Sequence, residues 1–136
     1  MNERKPIICL DFDGVIHSYE HGWKDGSIYG TVTPGFFEWA EEAAPCFKLV
    51  VYSSRSKTED GRLAMQEWMR DQWRRWLDRL PGDRTPLVAP ASFEFAHEKP
   101  TAFMTIDDRA ICFDGKWSGH HLTPEALLAF KPWTQH

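Results

Sequence analysis

The chain contains no uninterrupted apolar run approaching the roughly 20 residues that a membrane-spanning helix needs. Its start, Met1-Asn2-Glu3-Arg4-Lys5, leads into a short strand-like segment rather than a signal-peptide core. A cytoplasmic protein without membrane partners is the expectation from both absences. Cysteine is scarce: Cys9, Cys46 and Cys112 are odd in number, show no CxxC spacing and sit among apolar neighbours. That pattern disfavours a disulfide framework or a zinc site and predicts three buried thiols. Positive charge is not in excess either. A net charge of −4 removes the chain-wide basic footprint of a nonspecific nucleic-acid binder. The arginines Arg70, Arg74, Arg75 and Arg79 are interleaved with Asp71 and Asp78, as on a solvated helix face. Glycine and proline number only nine each, and neither a repeat nor a low-complexity tract is present, which excludes collagen-like and fibrous chains. What is there, 136 residues of which 42% are hydrophobic, suits one globular domain over residues 1–136 with a single core.

The apolar pattern alternates between two kinds. Ile7-Ile8-Cys9-Leu10 and Lys48-Leu49-Val50-Val51-Tyr52 are short runs of the sort a parallel sheet buries on both faces. Pro86-Leu87-Val88-Ala89 predicts a third strand, Ala102-Phe103-Met104-Thr105-Ile106 a fourth and Ile111-Cys112-Phe113 a fifth. Between them, Thr33-Pro34 offers an N-cap and a first-turn proline for a helix carrying Phe36, Phe37, Ala40 and Ala43. From Glu59 to Leu80 apolar residues return at three- and four-residue intervals, which specifies an amphipathic helix closed by Pro81-Gly82. Thr123-Pro124 opens a last helix running through Phe130. Strands alternating with helices point to βαβ units, hence an α/β fold with a mostly parallel central sheet covered by helices.

In such sheets ligands bind beyond the carboxyl ends of the strands. Three expected strands end in reactive groups: Asp11-Phe12-Asp13-Gly14, Ser53-Ser54-Arg55 and Asp107-Asp108-Arg109. Four carboxylates gathered at one edge would repel one another and take up protons unless a cation neutralised them. Oxygen ligands with no His or Cys beside them favour a hard ion, Mg²⁺ in particular, and a phosphate would complete its shell.

These residues carry a resemblance. Asp11-Phe12-Asp13-Gly14-Val15, Ser53 after an apolar strand, Lys99 before Pro100, and Asp107-Asp108 after another strand resemble, in order, the four motifs of the haloacid dehalogenase (HAD) superfamily. The resemblance spans about residues 7–108. It implies a Rossmann-like three-layer sandwich with the first strand between the second and the fourth, and Mg²⁺-dependent phosphatase activity. Asp11 is then the nucleophile that forms an aspartyl-phosphate, and Asp13 the general acid and base. Ser53 and Lys99 hold and neutralise the phosphoryl group, and Gly14, Ser54 and Arg55 are substrate contacts. Asp107 and Asp108 hold the metal with Asp11 and the backbone carbonyl of Asp13.

Cap domains select substrates in this superfamily, but only about 18 residues separate Gly14 from Thr33, so no substantial cap is expected. An open site suits small phosphorylated molecules or a phosphorylated nucleic-acid end, and the flap residues His17, Tyr19, His21 and Trp23 offer rings that could stack on a base. Two other readings stand beside this one. One is a polynucleotide phosphatase or nucleotidase, because Ser53-Ser54-Arg55 and Asp107-Asp108-Arg109 are similar to segments of polynucleotide kinase-phosphatases. The other is a non-catalytic phosphate-binding module akin to a receiver domain, disfavoured because here the paired acids follow the fourth strand rather than the first.

Overall fold

A computed structural model describes residues 4–135. Four short strands form one all-parallel sheet: β1 (Ile7–Leu10), β2 (Lys48–Val51), β3 (Phe93–Phe95) and β4 (Met104–Ile106), in the spatial order β3-β2-β1-β4. The chain is therefore α/β, with β1 flanked by β2 and β4. Side chains alternate across a strand, so the registers Ile8↔Leu49, Leu10↔Val51 and Leu49↔Phe93 place five apolar residues on one face. Helices α1 (Phe36–Ala43) and α2 (Glu59–Asp78) bring Phe36, Phe37, Ala40, Met65, Trp68, Met69 and Trp76 into the same apolar cluster. Cys9 and Val50, of opposite parity, are buried outside that cluster. Among the described residues, no helix is long and apolar enough to cross a membrane.

Helix α2 forms where the periodicity places it, capped by the Thr58 hydroxyl, which accepts from Gly61 N, and opened by Glu59 and Asp60 at the positive end of its dipole. Helix α3 is shorter than expected, Pro124–Leu128, but starts on the Thr123 cap as its sequence implies. Helix α1 departs from the cap anticipated at Thr33-Pro34. It begins at Phe36 with Gly35 as N-cap and no side-chain cap bond. The Thr33 hydroxyl instead donates to Val15 O (2.8 Å), and Thr33 N donates to Ile16 O (2.8 Å). A tertiary acceptor has taken the group that would have served locally.

Two expected strands are absent. Residues 86–89 form no ladder; the third strand is Phe93–Phe95, after a 3₁₀ turn over Pro90–Ser92. Two prolines remove N–H donors there, and Val88, the buried residue of the run, accepts from Trp73 Nε1 at 2.8 Å through its carbonyl. Ile111, Cys112 and Phe113 are exposed outside any strand, which leaves β4 as an edge. Of the thiols only Cys9 is buried; Cys46 lies in the turn after α1 and Cys112 in the exposed segment after β4.

A buried carboxylate joins α1 to the chain beyond α2. Glu41, on the apolar face of α1, accepts from Arg84 Nη2 and from Leu87 N (2.9 Å). Burial alone would raise its pKa, but these donors and the Arg84 charge hold it below the usual carboxylate value.

Candidate functional site

The strand ends place the acidic groups. Asp11 follows β1 directly, and Asp107-Asp108 follow its parallel neighbour β4, with Asp11 N donating to Ile106 O at 3.0 Å across the join. Parallel pairing with Leu10 opposite Ile106 brings the two strand ends level. Asp11, Asp107 and Asp108 each offer a carboxylate oxygen, and these atoms lie within 4.8 Å of one another, a spacing at which one divalent cation could bridge them.

The electrostatics of this trio are unfavourable by themselves. Burial, followed by the charges of Asp107 and Asp108, pushes the Asp11 carboxyl up to about 7, well outweighing the Phe12 backbone bond that lowers it. Asp108 is also raised, first by burial and then by Asp107. Beside the trio lies a cleft of about 190 Å³ lined by Asp11, Asp107, Ser53, Ser54, Lys99 and Tyr52 among others. Four separate segments thus supply acids, hydroxyls and an ammonium group to one opening.

The fourth acid is placed differently. The Asp13 carboxylate accepts from Arg55 Nε (2.9 Å) and Nη2 (3.2 Å) and from His17 Nδ1 (2.9 Å). His17 is fully buried, and its Nε2 accepts from Gly30 N at 2.9 Å, so the neutral ring carries its proton on Nδ1 and donates it to Asp13. Burial would raise Asp13, yet the His17 and Arg55 hydrogen bonds and the Arg55 charge together hold it below the usual carboxylate range. Only three of the four acids expected to cluster do so through their carboxylates. The reason is the nearby guanidinium, which forms a two-pronged bond that like-charged neighbours cannot match.

The third nitrogen of Arg55, a residue the sequence offers as a substrate contact, is Nη1, which donates to Gly26 O (2.5 Å), and the side chain is 11% exposed. Arg55 joins the chain after β2 to the Asp13 turn and to the flap. Ser53 is likewise occupied as a cap: its hydroxyl accepts from Arg55 N (3.1 Å) and lies 3.7 Å from Met65 Sδ. Ser54 is exposed at the cleft. Gly14 is buried with φ +84, and its N–H donates to His17 O at 2.8 Å.

The segment from His17 to Val32 is secured at several points. Trp68 Nε1 donates to Gly30 O (2.9 Å), Gln72 Oε1 accepts from Val32 N (3.1 Å), and Tyr29 Oη donates to Gly22 O (2.9 Å). Tyr19 stacks on Tyr29 and meets His17 edge-on. The rings of His17, Tyr19 and Tyr29 therefore pack on one another, and Trp23, 68% exposed, is the large aromatic left facing solvent.

Gly14 also separates the Asp13 turn from Asp108. A methyl group built on its Cα would sit 2.8 Å from Asp108 Cγ and closer still to Oδ2. Gly14→Ala is expected to destabilise the fold by about 2 kcal/mol, from the left-handed backbone and the displaced carboxylate together. Urea unfolding checks this as a lower midpoint at unchanged slope. Gly82→Ala, which meets nothing within 4 Å, should shift the midpoint little.

No protein-family model, curated protein or solved structure matches the chain.

Proposed function

We propose that this chain is a capless, Mg²⁺-dependent phosphohydrolase of the HAD type on a Rossmann-like three-layer frame, acting through an aspartyl-phosphate on Asp11. The supporting observation is the convergence of the Asp11, Asp107 and Asp108 carboxylate oxygens within 4.8 Å at the carboxyl edge of a parallel sheet, beside Ser54 and Lys99. Burial first and carboxylate neighbours second raise the Asp11 and Asp108 pKa values, which fits a bound cation, because its charge would favour the ionised carboxylates. Asp11, Asp107 and Asp108 would hold Mg²⁺ with the Asp13 carbonyl, and the ion would supply charge neutralisation for an incoming phosphate dianion.

The remaining chemistry belongs to the side chains. An Asp11 oxygen attacks phosphorus as the ester P–O bond breaks, and the leaving oxygen takes a proton. Water then attacks the acyl-phosphate, releasing inorganic phosphate and returning Asp11 as a carboxylate. Asp13 is the acid and base of this reading. The form that His17 and Arg55 stabilise is the ionised one, which suits taking a proton from water in the second step. Donating a proton in the first step requires Asp13 to leave the Arg55 pair. Lys99 and the Ser54 hydroxyl face the same cleft and supply the donors a phosphoryl group needs.

A panel of an aryl phosphate, sugar phosphates, nucleotides and 3′- or 5′-phosphorylated oligonucleotides, with Mg²⁺ or with EDTA, tests the proposal. Phosphate release that needs Mg²⁺ is the expected result. No turnover of any substrate at millimolar Mg²⁺ would remove it. A stable phospho-Asp11 without turnover would replace the hydrolase by a phosphate-accepting module.

A further inference from the structure

The C-terminal segment meets the turn after β1. Trp133, 119 residues downstream, donates its indole N–H to the Gly14 carbonyl at 2.6 Å. We propose that Trp133 is a positioning residue of the carboxylate site, clamping the Gly14 turn that separates Asp13 from Asp108. The use of that site by a metal rests on the phosphatase reading above; the clamp itself does not.

The peptides on either side of Gly14 show why a clamp is needed. The Asp13–Gly14 peptide is held by Gly14 N donating to His17 O (2.8 Å). In the next peptide, Val15 N donates to Phe12 O at 3.2 Å, but this oxygen already accepts from Ile16 N and His17 N at 2.9 Å each. The carbonyl of that second peptide, Gly14 O, is the group Trp133 meets. Gly14 is buried, and a buried carbonyl requires a donor. It also has no side chain to steady its left-handed backbone (φ +84).

Position matters because Gly14 lies against the Asp108 carboxylate so closely that even a methyl group would not fit. A turn that moves toward or away from Asp108 changes the room that carboxylate has beside Asp11. It also moves the Asp13 carbonyl, which shares a peptide plane with Gly14 N–H.

The indole is half exposed while Pro132 beside it is buried, so filling a core does not account for the ring. The polar tip makes the contact that reaches the turn. Trp133→Phe therefore isolates the proposed role, because it keeps an aromatic ring and deletes the N–H.

The experiment uses the full chain as wild type, Trp133→Phe and Trp133→Ala. It follows amide exchange at Val15 and His17, the ¹³C shift of the Asp108 carboxyl, Mg²⁺ affinity by calorimetry, and the melting midpoint as a check on folding. In Trp133→Phe, exchange at Val15 and His17 should rise about five- to tenfold, as loss of one hydrogen bond predicts. Mg²⁺ affinity should fall by a similar factor, the Asp108 shift should move, and the midpoint should fall by only about 5 °C, leaving the variant folded. Trp133→Ala should match or exceed these changes. Unchanged exchange in both variants overturns the proposal, as does faster exchange with unaltered Mg²⁺ affinity and Asp108 shift. If wild type takes up no Mg²⁺, the phosphatase reading fails separately, and the clamp is judged on the exchange rates and the Asp108 shift.

Discussion

Replacing Asp11 by Asn is expected to lower phosphate release on the order of 10³-fold or more while making the metal-free protein more stable at pH 8. The first effect follows from removing the nucleophile, for which an amide is no substitute. The second follows from the position of Asp11 beside Asp107 and Asp108. Its folded-state value of about 7 lies above the ordinary 3.8. The folded state therefore binds the proton more tightly than the unfolded state. The contribution to stability is full below the unfolded value and is lost as pH rises from about 4 to about 7. Above pH 7 the native state holds a desolvated, repelled carboxylate that Asn does not reproduce. After allowance for solvent screening of a half-buried group, roughly 1 kcal/mol or about 4 °C in melting midpoint is expected in EDTA. Wild type should regain stability with Mg²⁺ by mass action, and the variant should regain much less. Assays of phosphate release and melting curves at pH 5.5 and 8 check both effects. Wild-type turnover by Asp11→Asn would exclude the covalent mechanism.

Arg55→Ala should cost stability before it costs substrate affinity. The guanidinium bonds both Asp13 oxygens and the Gly26 carbonyl, with 11% and 19% of the Arg55 and Asp13 side chains exposed. Removing one partner of a largely buried pair leaves its charge uncompensated, at a cost of about 3 kcal/mol. Asp13 keeps its bond from His17, so Arg55→Ala combined with Asp13→Asn should be less destabilised than Arg55→Ala alone. Amide exchange across residues 18–30 should rise as the flap loses its anchor at Gly26. Denaturant unfolding of the two single variants and the double variant measures the coupling. A raised KM with an unchanged unfolding midpoint would instead make Arg55 a substrate contact.

These two residues illustrate what could be read from the chain. Asp11 was legible because a short apolar run ending in an acid has a single use in a parallel sheet, to present that acid at the carboxyl edge. A guanidinium four residues beyond β2 can point outward to a phosphate or inward to a carboxylate, local sequence carries no information on which, and Arg55 bonds Asp13. Thr33 shows the same limit: its hydroxyl suits a helix cap, but Val15 O, 18 positions away, holds it. Glu41 lies on the apolar stripe of α1, and only the placement of Arg84 and Leu87 N beside it explains a buried acid. Trp133 had no local signal at all, since its partner is Gly14, 119 residues away.

Local order of polarity was enough to determine β1, β2, β4 and α2, the α/β class, and the acids that end two of the strands. Those features depend on periodicity and on strand termini, which neighbouring residues specify. The tertiary structure alone decided which carboxylates share a site, which one is neutralised by Arg55 and hydrogen-bonded by His17, where β3 lies, and that the C-terminal tail reaches the first turn. Each of these depends on contacts between segments far apart in the chain, where the strongest available partner displaces the nearest one.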